Sequence, residues 1–357
     1  MFGIFRFILA VNVMIYHLLA IEVIGPYAVY SFFVLSGFLM TIIMNETYGY
    51  SLSGLKRYAQ NRCLRLFPIY WFLLILILGV IWLVGEPFST AYHPNMKVPD
   101  TISQWLANLF LVYPNSAPVN YDVRLSPPSW ALSIELFFYL LIGIGITKTR
   151  TVSVIVFFAS LIVAIYSIFG GNGLGYGTLV EASLPFSLGG ILFHFRSDLK
   201  YVIHKLPSNC FLVVSSILLC SNLLFAIYLS DTLQPSILNT AVWKLKVLCV
   251  LSNMIISCFV IIGLYYFKPQ NRFLKRLDRE LGDLSYPLYI FHTAGGCIIS
   301  WLLVNENINE VEESGVLLFS YSFIFTILVC WLSNFIINGR VEALRKRVKQ
   351  SLVRGHT

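Results

Sequence analysis

The sequence predicts an all-α integral membrane protein of about ten transmembrane helices, with both termini cytoplasmic. Three observations carry this reading. The 357 residues are 57% hydrophobic and only 12% charged, whereas soluble domains carry about twice that charge. Apolar runs long enough to cross a bilayer recur along the whole chain. The basic residues are sorted between alternate connections, as the positive-inside rule requires.

Taken in order, the apolar runs fall at about 3–22, 27–45, 68–85, 129–147, 151–169, 178–195, 210–230, 246–266, 285–304 and 315–337. They lack the ten-residue alternation of a transmembrane barrel, so each reads as a helix. With the N-terminus inside, the cytoplasmic segments hold 21 of the 25 Lys and Arg. Only Lys97, Arg124, Lys244 and Lys246 remain outside. One span more or fewer would scramble that asymmetry. It also accounts for the pI near 9.1 without nucleic acid, and directs the basic residues to lipid headgroups or an anionic ligand.

The first run has almost no basic n-region and no small-residue cleavage site, so it reads as a span rather than a signal peptide. Seven Cys show no paired spacing and read as small core residues, with neither a disulfide framework nor a metal site. One membrane domain, 1–337, precedes a basic cytoplasmic tail, 338–357. Residues 86–128 carry seven Pro and read as an ordered cap or re-entrant segment over the outer face. A short interfacial helix is expected there over Thr101–Tyr113, with Trp105 at headgroup level. The glycine tract 169–177 reads as a flexible turn, and Glu306–Glu313 as a solvated one.

The most informative polar residues interrupt these runs. Arg6 and His17 are eleven residues apart, about three helical turns, so they share one face with Cα atoms about 16 Å apart. An Arg at the centre of a membrane helix costs about 2.5–3.5 kcal/mol on insertion scales and marks a functional interior. The plainer alternative has Arg6 snorkelling to the headgroups and His17 bonding a neighbouring helix. Arg62 and Arg65 lie three apart on one helical face just before the third span, preceded by Arg57. Their guanidinium groups suit bidentate phosphate recognition, or else simply anchor the span. Ser285, Tyr286 and His292 open the ninth span from the same side, which puts His292 in the inner half of the bilayer. From the outer side, Glu135 is expected at a depth similar to His17, with Glu181 a further candidate. A carboxylate there would hold the imidazole tautomer. The polar residues thus sort into an inner arginine-rich mouth and an outer His/Glu pocket. That arrangement serves either an enzyme or a transporter with an anion path.

Five stretches taken together resemble the acyltransferase-3 family of membrane-bound acyltransferases that modify bacterial surface polysaccharides. They are Arg6-x10-His17; Ser31-Phe-Phe-Val-Leu-Ser36-Gly37; Arg62-x-x-Arg65-x-x-Pro68-x-Tyr70-Trp71; Trp130-x-x-Ser133-x-Glu135-x-x-Phe138-Tyr139; and Ser285-Tyr286-x-x-Tyr289-x-x-His292. Their order and spacing span nearly the whole chain. A departure lies after the last span, where Val341-Glu342-Ala343-Leu344 lacks the Pro of the family's Ile-Glu-x-Pro.

The resemblance implies a multi-pass protein of the bacterial inner membrane that transfers an acyl group, usually acetyl. The donor would be cytosolic acetyl-CoA, with no metal. The acceptor would be a sugar hydroxyl of a lipopolysaccharide O-antigen, another envelope glycan or a lipid-linked sugar. On this basis Arg57, Arg62, Arg65, Ser285, Tyr286 and His292 are expected to bind the donor, and Arg6 to orient or polarise it. His17 would serve as general base or acyl carrier, held by Glu135. The competing expectation is a polytopic exporter or flippase for a lipid-linked or polysaccharide substrate. A different acyltransferase class, centred on His194 and Asp198, is disfavoured because the three residues between them miss the His-x4-Asp pattern.

Overall fold

The computed structural model describes residues 1–21, 23–169, 175–203, 210–232, 239–305, 307–311 and 313–354. Among them there is no β-strand, and twelve α-helices carry the fold. In chain order they are α1 (Phe2–Leu19), α2 (Ile24–Ile43), α3 (Leu52–Val84), α4 (Glu86–Tyr92), α5 (Ile102–Phe110), α6 (Trp130–Ile144), α7 (Arg150–Phe169), α8 (Leu179–Ile203), α9 (Cys210–Thr232), α10 (Asn239–Tyr266), α11 (Arg272–Leu303) and α12 (Val316–Arg354).

Among the described residues eight helices are long and apolar enough to cross a membrane: α1, α2, α3, α6 with the turn before it, α7, α9, α10 and α12. The other two expected spans fall on α8 and α11, which are more polar. Charged residues fill α11 from Arg272 to Asp283 before its apolar part begins. Several helices leave large apolar side chains uncovered. On α7 these include Ile155, Phe158, Ile162 and Tyr166; on α12 they include Leu317, Ile324, Leu328, Trp331 and Phe335. These ridges at helical spacing are far more than a soluble monomer exposes. The chain is a multi-pass membrane protein.

At the centre, α1 lies between α2 and α11; α2 also packs on α8, α11 on α12, and α12 on α3. Small residues make the close approaches. A Cβ added to Gly37 would lie 2.2 Å from the Phe186 carbonyl oxygen, and one added to Gly189 2.2 Å from that of Val34, so α2 and α8 touch backbone to backbone. Helices α1 and α11 run parallel. Gly3 abuts Gly282, and Leu18 abuts Gly296. Asp278 Oδ1 accepts from the Ile4 backbone N–H at 2.9 Å, and so satisfies one of the unpaired donors at the start of α1. At its other end the Leu18 carbonyl accepts from Gly315 at 2.9 Å. Pro287 within α11 releases the carbonyl four residues earlier. Asn334 Nδ2 of α12 takes it up, donating to the Asp283 oxygen at 3.0 Å.

The connection 86–129 is an ordered cap built on backbone carbonyls. Helix α5 begins with a capping box between Thr101 and Gln104, inside the range expected for an interfacial helix. Asn108 Nδ2 donates to the Gln104 and Val123 carbonyls, and its Oδ1 accepts from Leu125. Buried Arg124 donates to the carbonyls of Pro118, Val119, Tyr121 and Pro127. The end of this segment enters the bundle: Ser126 Oγ donates to the Ile290 carbonyl at 2.8 Å, and Tyr289 Oη to the Pro128 carbonyl at 3.1 Å.

Three expectations need adjustment. Helix α12 runs unbroken to Arg354, straight through the tail boundary expected at 337. All seven Cys are free, but only Cys249, Cys258, Cys297 and Cys330 are buried, whereas Cys63, Cys210 and Cys220 are exposed. Gly170–Leu174, Lys205 and Glu306 lie outside the described residues.

Candidate active site

Because Gly3 meets Gly282 and Leu18 meets Gly296, each residue of α1 faces the residue 278 or 279 positions later on α11. Arg6 therefore shares a level with Ser285. His17 stands about 16 Å further along. Two clusters of polar side chains occupy these two levels.

The first is a cavity enclosed by five helices. It is lined by Arg6 of α1, Ser36 of α2, Arg62 and Arg65 of α3, Glu135 and Tyr139 of α6, and Ser285, Tyr286 and Tyr289 of α11, with Phe32 and Phe33 among its apolar walls. Glu135 Oε1 accepts hydrogen bonds from both Ser36 Oγ and Tyr139 Oη. Arg62 is buried. Its Nη2 donates to Asn61 Oδ1 at 3.1 Å and its Nη1 to Met40 Sδ at 3.7 Å, while its Nε has no partner. Of the ion pairs among the described residues, none involves Arg6, Arg62, Arg65 or Glu135. Three guanidinium groups thus share a cavity with one carboxylate. Arg57 precedes Arg62 by five residues, about 140° round the helix, and does not line this cavity.

The second cluster is aromatic and basic. The His17 ring lies 5.2 Å from that of His292 and 6.4 Å from that of His93, centroid to centroid, with Tyr16 at 4.6 Å. His292 is fully buried. Its Nδ1 sits 3.2 Å from the Leu288 carbonyl, and its Nε2 has no partner. A nitrogen facing a carbonyl must be the donor, so in neutral His292 the bare nitrogen is Nε2. His93, between α4 and α5, is the reverse case. Its Nδ1 accepts from the Asn95 backbone N–H at 3.3 Å, which leaves Nε2 as the protonated nitrogen. Burial, reinforced by the Arg124 charge, pushes the His93 pKa down to about 4. Among the described residues no group of three His, Cys, Asp or Glu converges as a metal site.

A family profile described as an acyltransferase domain matches residues 2–335. The chain belongs to the acyltransferase-3 family. No curated protein and no solved structure matches it. Membership supports an acyltransferase over an exporter or flippase.

This acyltransferase-3 chain groups its polar residues differently from the sequence reading at two positions. Glu135 was expected beside His17 but lies with the arginines, because α6 starts deep. Pro128, just before it, already bonds to Tyr289, a level midway between Arg6 and His17, and Glu135 is a further turn and a half towards Arg6. His292 was expected at the arginine level but lies against His17, because its seven residues beyond Ser285 carry it about 10 Å along α11, most of the way from the Arg6 level to that of His17. Arg6, Arg62, Arg65, Ser285 and Tyr286 come together as grouped. Glu181 is buried with Oε1 unpartnered, and lines no part of the arginine cavity. His194 and Asp198 have separate partners, the Thr147 carbonyl at 3.0 Å and Arg150 at 3.1 Å. Ser36, Tyr139 and Tyr289 carry no role in the sequence reading, yet they line the cavity. His93 carried no signal, since it lies 76 residues after His17 in a proline-rich connection.

Proposed function

We propose that this protein is a transmembrane O-acyltransferase of the bacterial inner membrane. It moves an acyl group, acetyl in the simplest case, from cytosolic acetyl-CoA to a sugar hydroxyl of a lipopolysaccharide O-antigen or another envelope glycan. In this reading α8 and α11 also cross, making ten spans, with both termini and the arginine level on the cytosolic side.

The observation that carries the reading is the excess positive charge of the cavity. A buried guanidinium without a carboxylate loses several kcal/mol of hydration, and a bound anion offsets that loss. The phosphates of a CoA thioester supply such an anion, and the orphaned Arg62 Nε supplies a donor for it. Arg62 and Arg65 then hold phosphate, while Arg6 guides the arm that leads from it along α1. Glu135, held by Ser36 and Tyr139, limits the mutual repulsion of the three arginines.

Bound acetyl-CoA supplies the electrophilic thioester carbonyl. At the His level His17 takes the proton from the acceptor hydroxyl as its oxygen bonds the carbonyl carbon. The carbon–sulfur bond breaks, sulfur leaves with the electron pair, and His17 returns the proton to it. With its Nδ1 proton engaged by Leu288, His292 presents a bare nitrogen beside His17 that steadies the imidazolium.

The test is transfer of label from acetyl-CoA to envelope glycan in membranes containing the chain, read alongside the acetyl mass increment on the glycan. Membranes that bind acetyl-CoA but leave the glycan unlabelled would overturn the acceptor half. Failure to bind it would overturn the donor half.

A further inference from the structure

We propose that His93, in the connection between α4 and α5, is a third functional histidine, whose Nε2–H binds the oxygen of the acceptor hydroxyl that His17 deprotonates. The inference rests on the acyl-transfer reading above and names how that site holds its second substrate.

The argument begins with hydrogen-bond polarity. The Asn95 N–H occupies the lone pair of His93 Nδ1, so the ring offers a donor at Nε2. The Leu288 carbonyl occupies the Nδ1 proton of His292, so that ring offers an acceptor at Nε2. The His17 ring neighbours both, 5.2 Å from His292 and 6.4 Å from His93, and a neutral imidazole has one donor and one acceptor. In the proposed arrangement the His17 N–H lies on the side of His292, whose Nε2 has no partner in the structure, and the bare nitrogen of His17 lies on the side of His93.

Distance then identifies what stands in between. The rings of His17 and His93 are 6.4 Å apart, against 5.2 Å for His17 and His292. At 6.4 Å their nitrogens are too far apart for a direct N–H···N bond. One oxygen bonded to both nitrogens at about 2.9 Å each fits the gap. A hydroxyl oxygen there accepts from His93 Nε2–H and donates its own hydrogen to the bare nitrogen of His17. Every donor in the chain from His93 through the hydroxyl and His17 to His292 then points the same way. The acceptor is held by its reacting oxygen, with its proton already aimed at the base.

Chemically, the hydroxyl O–H bond breaks with its proton passing to His17, while the oxygen forms its bond to the thioester carbonyl carbon. The carbon–sulfur bond breaks, and the thiolate recovers that proton. His93 loses and gains no proton in this step. It fixes the oxygen's position.

The experiment measures acyl transfer from labelled acetyl-CoA to glycan for the full-length chain in membranes, adjusted for its abundance. Wild type is compared with His93→Ala, His93→Gln and His93→Asn. A Gln amide places a donor where Nε2–H stands, whereas the shorter Asn amide places one nearer Nδ1. The expected result is a loss in kcat of about tenfold or more for Ala and Asn. Gln should remain within about threefold of wild type, with the apparent KM for acetyl-CoA unchanged throughout. Equal activity in wild type and His93→Ala would overturn the inference while leaving the acyl-transfer reading standing. Equal losses in Ala, Gln and Asn at normal abundance would overturn it too, since a packing role would produce them. Wild-type membranes that transfer no label would overturn the underlying reading and this inference with it.

Discussion

Gly3 of α1 packs directly against Gly282 of α11, where a Cβ on Gly282 would lie 2.8 Å from the Gly3 Cα and one on Gly3 would lie 1.7 Å from the Asp278 carbonyl oxygen. This contact sets the parallel register that brings Arg6 to Ser285 and His17 to His292. Any side chain at position 3 must push the helices apart or slide one along the other. Gly3→Leu is therefore expected to lower the abundance of folded protein and its thermal stability by several degrees. Gly79→Ala, in the interior of α3, is the control. A Cβ there meets nothing within 4 Å, and losing the glycine favours the helix by up to about 1 kcal/mol. Melting curves in detergent would check both, and an unshifted Gly3→Leu would refute the close-packing account.

In the proposed mechanism His17 is the residue on which acyl transfer depends most directly. A positioned general base contributes about 10²–10⁴ in rate. His17→Ala, at normal membrane abundance, is expected to lose at least a hundredfold in label transfer with little change in acetyl-CoA binding. Full activity in that variant would remove His17 from the chemistry.

The donor end is tested by separating affinity from turnover. Arg65→Ala should raise the apparent KM for acetyl-CoA about tenfold with a smaller change in kcat, as expected for a group that binds phosphate equally in ground and transition states. Glu135→Gln should also move the donor dependence, because Glu135 lines the arginine cavity. Had Glu135 instead held the His17 tautomer, its loss would appear in kcat alone. Measuring both constants for both variants decides between the two placements.

The elements and their order were legible because hydrophobic run length and charge asymmetry are local properties of the sequence. Arg6 and His17 were legible because a straight helix converts a spacing of eleven into a shared face. Depth was less accessible. Counting inward from the ends of apolar runs assumes that every helix starts at the same level, and α6 does not. Helix α6 starts beside Tyr289 because Ser126 and Pro128 are bonded to α11 there. In α11 Asp278 and Gly282 pack against the beginning of α1, so Ser285 stays level with Arg6 and His292 lies about 10 Å further along. The deep start of α6 moved Glu135 to the arginines, and the two turns beyond Ser285 carried His292 to His17. His93 was invisible for another reason: its place depends on Arg124 and Asn108 folding a proline-rich connection over the bundle, through carbonyl contacts that leave no periodic trace.

The His93 environment also predicts a pH dependence. Burial and the neighbouring Arg124 charge hold His93 at about 4 in the folded protein, against about 6.5 in an unfolded chain. Between those values the unfolded state binds a proton that the folded state refuses, so stability rises with pH across that window. Above about pH 6.5 both states are neutral at this position and its contribution is constant. On acidification the contribution is lost progressively from about pH 6.5 down to about pH 4. Arg124, His17 and His292 face or neighbour the same ring and are unchanged in His93→Gln, so the difference between the two proteins isolates His93. Wild-type melting temperature is expected to fall more steeply than that of His93→Gln between pH 6.5 and 4, with parallel curves above pH 7. If the two fell equally on acidification, His93 would not be held neutral by its surroundings.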